Sequence, residues 1–287
     1  MINSIYIILA VAAISLQHIC KKAYNEKMLG KAVIIFSALS SLTAAIFFIF
    51  QVKLPVSIDI KILPYSVLFA LGYGSAVLFS VLAIGCGSLS LTSLITSYSL
   101  IIPTLYGLVF KGDKISGFLI IGLILLMISL FLVNFVKGDK GSTKINVKWI
   151  IFVAIAFLGN GLCSAMQNAQ VEAFGGKYKS EFMSIALLLV FLILMIVSFA
   201  CERNHIKLTV QKGILPIIIC GAANGLVNLV IMLLSARMEA SVMYPLVSAG
   251  SIILTYLISC FWYKEKLSLM QNIGFVLGVA SVVFLNL

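Results

Sequence analysis

The chain has 287 residues, a mean hydropathy of +1.18 and only 10% charged side chains. A water-soluble domain of this length needs a polar skin, so the composition excludes one and points to lipid as solvent. The net charge of +11 does not mark a nucleic-acid partner, because the 20 Lys and Arg are spread over nearly every junction between apolar runs. Lysines that flank helix ends and snorkel to headgroups account for it.

Met1–Cys20 is the first apolar run. It has the look of a lipoprotein signal ending at Cys20, but it lacks a basic n-region and has His18 and Ile19 before the cysteine, so it reads as a retained first helix. Ala32–Phe50 is the second. Ile62–Phe110 carries no charge over 49 residues, about 73 Å as one helix at ~1.5 Å per residue. That is too long for one crossing, and "GCGSLS" (85–90) supplies the turn that makes it two. Ile115–Val136, Trp149–Val171, Phe182–Cys201, Gly213–Ala236, Ala240–Tyr263 and Leu267–Leu287 follow. Each run is long enough to span ~30 Å of hydrocarbon as a helix. The runs are continuous rather than alternating, which excludes barrel strands. The expectation is an all-α membrane protein of ten transmembrane helices. The six cysteines lie within or at the ends of these runs with no C-x-x-C pair, so they imply neither a disulfide framework nor a metal site.

Two charged knots punctuate the chain, "FKGDKISGFLIIGLIL" (110–125) and "YKEKLSLMQNIGFVLG" (263–278), and the second echoes the first. "YIILAVAAISLQHIC" (6–20) also aligns without gaps on "WIIFVAIAFLGNGLC" (149–163), and "LGYGSAVL" (71–78) on "AANGLVNL" (222–229). The offset grows from 143 residues between Tyr6 and Trp149 to 152 between Asp113 and Glu265. Residues 1–136 therefore read as a first five-helix repeat, 137–148 as a connecting loop and 149–287 as a second repeat. An odd number of crossings makes the second copy enter from the opposite side, so the repeats are inverted, an architecture of transporters with a midplane site. In each knot the acid, Asp113 or Glu265, is expected to complement the positive end of the helix that follows.

With the doubled five-helix unit and the knot residues Gly112, Asp113, Ile115, Ser116 and Gly122 matched by Glu265, Leu267, Ser268 and Gly274, the whole chain resembles the drug/metabolite transporter superfamily, in particular its EamA-like ten-helix members. The resemblance implies a multi-pass protein of the bacterial cytoplasmic membrane and a central cavity lined by helices 1, 3, 4, 6, 8 and 9. It also implies both termini in the cytoplasm. The positive-inside rule opposes that orientation, because only seven Lys and Arg would then lie in cytoplasmic loops.

Polar side chains inside membrane helices are costly and tend to face a cavity or a partner helix. Here they form stripes. Tyr244, Ser248, Ser251 and Thr255 share one face of helix 9, and Asn160, Ser164 and Gln167 one face of helix 6. Helix 1 carries Gln17, Lys21 and Tyr24 with His18 alongside, helix 8 carries Asn224 and Asn228, and helix 4 carries Ser93, Ser97 and Thr104. The candidate substrate-binding set is Gln17, His18, Tyr73, Ser97, Asn160, Ser164, Gln167, Asn224, Asn228, Tyr244, Ser248 and Ser251. Hydroxyls bonded to their own helix are the structural alternative, Tyr73 and Tyr244 can equally be packing aromatics, and Lys21 and Lys22 read first as interface lysines and otherwise as guards of a cavity mouth that attract anions. His18 offers a site for a carboxylate or phosphate, or for proton exchange.

All nine acidic residues fall in loops or at helix ends. A proton-coupled cation pump needs an embedded carboxylate, so the cargo expected is a small neutral, zwitterionic or anionic metabolite, moved by alternating access with a coupling proton or ion. No G-x-x-x-x-G-K-[ST] loop is present, no cofactor is implied and an enzyme is not expected, since one His without a buried acid is too little for intramembrane chemistry. A lipid-carrier flippase or an accessory membrane subunit is the alternative.

Overall fold

The computed structural model describes residues 2–52, 59–100, 102, 117–135, 146–235 and 240–284, and among these the chain is all helix with no strand. The helices are α1 (Ile2–Met28), α2 (Val33–Ile49), α3 (Leu63–Cys86), α4 (Leu89–Ser97), α5 (Gly117–Phe135), α6 (Val147–Ala173), α7 (Lys179–Cys201), α8 (Ile214–Ser235), α9 (Ala240–Phe261) and α10 (Leu269–Phe284). Among the described residues five segments are long and apolar enough to cross a membrane: Asn3–Met28, Ile60–Cys86, Val147–Ala173, Lys179–Cys201 and Arg203–Ile231. Residues 110–116 of the first knot, with Asp113, and Thr104 lie outside the described residues.

The helix boundaries follow from local chemistry. Ser88, in extended backbone, accepts from the Leu91 N–H at 3.3 Å and starts α4 two residues after α3 stops. Asn146 caps α6 in the same way by accepting from the Trp149 N–H at 2.7 Å. At α10, Gln271 Oε1 accepts from the Ser268 N–H (3.0 Å) while Ser268 Oγ accepts from the Gln271 N–H (3.2 Å), a reciprocal capping box. The start of α2 has no side-chain cap of its own. Glu202, just past α7, supplies it by accepting from the N–H groups of Ile34 (3.1 Å) and Ile35 (2.9 Å).

The helix pairings are repeated across the two halves. α3 packs on α6 and α1 on α8; α3 on α7 and α2 on α8; α4 on α6 and α1 on α9; α2 meets α7, α4 meets α9 and α5 meets α10. Within these nine pairs, exchanging α1–α5 with α6–α10 returns the same nine. The end of α1 lies beside the end of α3, through Lys21 Nζ to Ser80 Oγ (3.0 Å) and Asn25 Nδ2 to the Val81 carbonyl (2.8 Å). α3 runs against α6 in the opposite sense: Gly72 faces Gly159, and Gly87 near the end of α3 meets Trp149 near the start of α6. At the Gly72–Gly159 crossing a Cβ on Gly159 would fall 2.6 Å from the Gly72 carbonyl oxygen and 2.9 Å from the Ala76 nitrogen. Backbone meets backbone there, so only glycine fits.

The polarity is inside out relative to a water-soluble protein. Large apolar side chains such as Ile8, Met127, Ile196 and Val276 are two-thirds exposed or nearly so, while Lys21, Asn25, Gln170, Asn224 and Gln271 are buried. Exposed apolar surface on this scale needs a non-aqueous neighbour.

Candidate functional site

α1, α3, α4, α6, α8 and α9 enclose a cavity of about 220 Å³. Of the residues singled out from sequence, Gln17, His18, Tyr73, Ser97, Asn160, Ser164, Gln167, Asn224, Asn228, Ser248 and Ser251 line it, and the Tyr244 side chain lies outside the described residues. The other polar lining residues are Lys21, Ser80, Thr96 and Ser99, and no acidic side chain is among the lining residues described. A second, larger depression of about 590 Å³ lies by Pro64, Tyr65, Met166 and Glu172, but its wall is mostly apolar and offers far fewer polar groups.

The amides form a chain around the cavity wall. Asn224 Nδ2 donates to Gln17 Oε1 at 3.3 Å, which ties α8 to α1. Asn228 Nδ2 donates back one turn to the Asn224 carbonyl at 2.9 Å. Asn160 Nδ2 donates to Ser99 Oγ at 2.7 Å, which ties α6 to the turn after α4. The hydroxyls are quieter. Ser97 donates to the Ser93 carbonyl (2.8 Å), Ser164 to the Asn160 carbonyl (2.9 Å) and Ser251 to the Ser248 carbonyl (2.9 Å). Their protons are used within their own helices, so toward the cavity they present acceptor lone pairs. Ser93 bonds the Ser90 carbonyl, Thr255 is buried with no partner, and neither lines the cavity.

No family model matches the chain, and no curated protein matches it. It is similar to a solved structure described as "Crystal structure of protein", with a TM-score of 0.65 and 11% identity over 98% of this chain and 95% of that one. The likeness is one of fold. It extends over both chains nearly end to end, so the arrangement of helices around this cavity belongs to a whole-chain architecture.

Residues that the sequence alignment pairs meet on the cavity wall. At the offset of 143, Gln17 falls on Asn160 and Lys21 on Ser164; at 151, Tyr73 falls on Asn224, Val77 on Asn228 and Ser80 on Ile231; at 152, Thr96 falls on Ser248 and Ser99 on Ser251. Every one of these residues lines the cavity. The paired positions differ in chemistry. Three helices come from each half of the chain.

The interface role read for Lys21 is corrected. α1 does not end near Cys20 but runs unbroken to Met28, which keeps Lys21 on the same helical face as Gln17, 8% exposed on the cavity wall. Its Nζ donates to Ser80 Oγ, and among the described residues it forms no ion pair. His18 is 9% exposed, and among the described residues its Nδ1 has no hydrogen-bond partner.

The dipole role read for the second knot is also corrected. Glu265 serves α4 rather than α10, whose start is already closed by Ser268 and Gln271. Its carboxylate accepts from the Leu89 N–H (2.9 Å), Ser88 Oγ (2.8 Å), Ser90 Oγ (3.2 Å) and Ser259 Oγ, and pairs with Lys22 Nζ at 3.4 Å. Burial alone would raise its pKa; the donors from Ser259, Leu89 and Ser88, with the Lys22 charge, outweigh that and hold it below the usual carboxylate range. This acid pins the ends of α1 and α9 to the start of α4, on one face of the bundle beyond the cavity.

Proposed function

We propose that the chain is a multi-pass membrane protein of ten spans in two inverted five-helix repeats, and that it is a secondary transporter moving a small metabolite through this cavity by alternating access. One observation carries the reading: a cavity lined by amides, hydroxyls and a lysine, between residues 1–136 and 149–287, in a bundle whose exterior is apolar. The exchanged helix pairings and the opposite running of α3 and α6 support the inversion, since α1 shares the sense of α3. The cavity's size supports a small cargo. About 220 Å³ suits a small solute better than a bulky drug.

The wall supports a neutral, zwitterionic or anionic cargo over a cation, because its charged side chain is a lysine and the described lining has no carboxylate. Alternating access needs one face closed while the other opens. The knot around Glu265 is a polar lock of that kind, holding α1, α4 and α9 together on one side. The test is solute uptake into liposomes that contain only this protein. Uptake of at least one metabolite above empty liposomes, lost in Asn160→Ala with folding intact, is the expected result. No uptake across a broad panel of metabolites, from protein that melts cooperatively, would contradict the reading and favour a flippase or an accessory subunit.

A further inference from the structure

The two sets of cavity-wall residues differ in charge at one place. Lys21 and Ser80 have Ser164 and Ile231 as their repeat equivalents, and His18 falls on Gly161. One end of the cavity is therefore cationic and rich in donors, while the equivalent end is neutral. The lysine there is unusual for its surroundings. A buried ammonium normally has a carboxylate partner, because taking the charge out of water costs several kcal/mol. Lys21 has one hydroxyl, Ser80 Oγ at 3.0 Å, and no acid among the described lining. Next to it His18 keeps Nδ1 buried without a partner. Two polar groups, each more than nine-tenths buried, thus line one cavity with bonding capacity unfilled.

We propose that this end is a head-group site for a single carboxylate, and that the cargo is a small monocarboxylate with an uncharged polar remainder. The inference rests on the transport reading only for the word cargo; the binding site stands on the wall itself. Charge fixes the valence. One lysine balances one negative charge, whereas a doubly charged phosphate would bring a second charge into a low-dielectric site with nothing to meet it. The Lys21 ammonium has donors left after Ser80 for both carboxylate oxygens, and the His18 side chain lines the wall beside it. The rest of the solute then meets Gln17, Asn160, Asn224 and Asn228. These suit hydroxyl or amide groups but give an ammonium no counter-charge.

The test uses the full chain, purified, with lactate, lactamide, alaninamide (a cation) and inorganic phosphate as probes at constant ionic strength. Lactate is expected to raise the melting temperature, and lactamide, alaninamide and phosphate to leave it unchanged. Lys21→Gln should weaken lactate binding by about 30-fold or more, the loss expected when one partner of a buried charged pair is removed. Lys21→Arg should keep most of it. A lysine that was merely structural would show the opposite signature in the empty protein. Here empty Lys21→Gln is expected to melt no lower than the parent, since it removes an uncompensated charge. His18→Phe should weaken lactate binding and leave lactamide without effect, as in the parent.

Equal shifts with lactate and lactamide, a shift with phosphate alone, or full lactate binding in Lys21→Gln would each overturn the head-group site. Uptake of labelled lactate into liposomes separates this inference from the transport reading. Binding without uptake would sink transport and leave the site. Uptake of a neutral solute that is indifferent to Lys21→Gln would sink the site and leave transport.

Discussion

Glu265→Ala removes the centre of the knot that joins α1, α4 and α9. The carboxylate accepts hydrogen bonds from the Leu89 N–H and the hydroxyls of Ser88, Ser90 and Ser259, and its side chain is 10% exposed. Each hydrogen bond to a charged acceptor contributes about 1.5–3 kcal/mol net, but these do not add. Ser88 and Ser90 already lie 3.0 Å apart and Ser90 and Ser259 3.4 Å, so the hydroxyls can pair with one another once the acid is gone. Lys22, 19% exposed, can turn to water, and its pair is worth little. What stays unsatisfied is the first N–H of α4. The expected loss is about 3 kcal/mol, the upper end for leaving a buried donor unsatisfied. At roughly 2 °C per kcal/mol for a large chain, that lowers the melting temperature by about 6 °C. Thermal unfolding of the purified variants in one detergent measures it. Glu265→Gln, which keeps an acceptor and loses the charge, should fall about half as far. An alanine variant within ~1 °C of the parent, or a glutamine variant less stable than alanine, would refute the placement of this acid at the start of α4.

The same group sets an acid limit. Its pKa is depressed in the folded protein, so its stabilisation is fully present above the unfolded value of about 4.3 and is lost as pH falls through the lower folded value. The parent should lose melting temperature below roughly pH 4.3, and Glu265→Gln should lose less over that window. Gly159→Ala places a Cβ against the backbone of Gly72 and Ala76; overpacking of this kind costs about 1–3 kcal/mol, read as a lower melting temperature without loss of helical signal. Gln17→Ala leaves the Asn224 amide without its cross-helix acceptor. Solute uptake should drop several-fold while the melting temperature changes by no more than the ~1 kcal/mol of one neutral hydrogen bond.

The parts of this structure legible in the sequence are those with a strong local signal. Uncharged runs located the helices, and Gln17, Asn160, Asn224 and Asn228 stood out because amides are rare in such runs; all four line the cavity. Lys21 was misread because counting charges ended the first run at Cys20, although its i, i+4 spacing from Gln17 already placed it on the same face. Ser80 and Ser99 carried no signal at all. Buried serines such as Ser37 and Ser41 are spent on their own helices here, donating to Val33 and Ser37 carbonyls, and nothing local distinguishes them from a serine that faces a cavity. The target of Glu265 was hidden for another reason. The S-x-x-Q of Ser268–Gln271 is a capping box written into the sequence and leaves α10 with no need of the acid. The helix start that does need it lies 176 residues away along the chain.

The central claim is that the cavity between the two halves opens to each side of the membrane in turn. Ser97 lines it and bonds only one turn back along α4, so Ser97→Cys, in a background with the six native cysteines replaced, puts a small thiol on its wall. A membrane-impermeant maleimide applied separately to each side of sealed vesicles is the direct probe. Labelling from both sides, slowed by saturating cargo, is the predicted result. Labelling from one side alone, or from neither, would contradict the account.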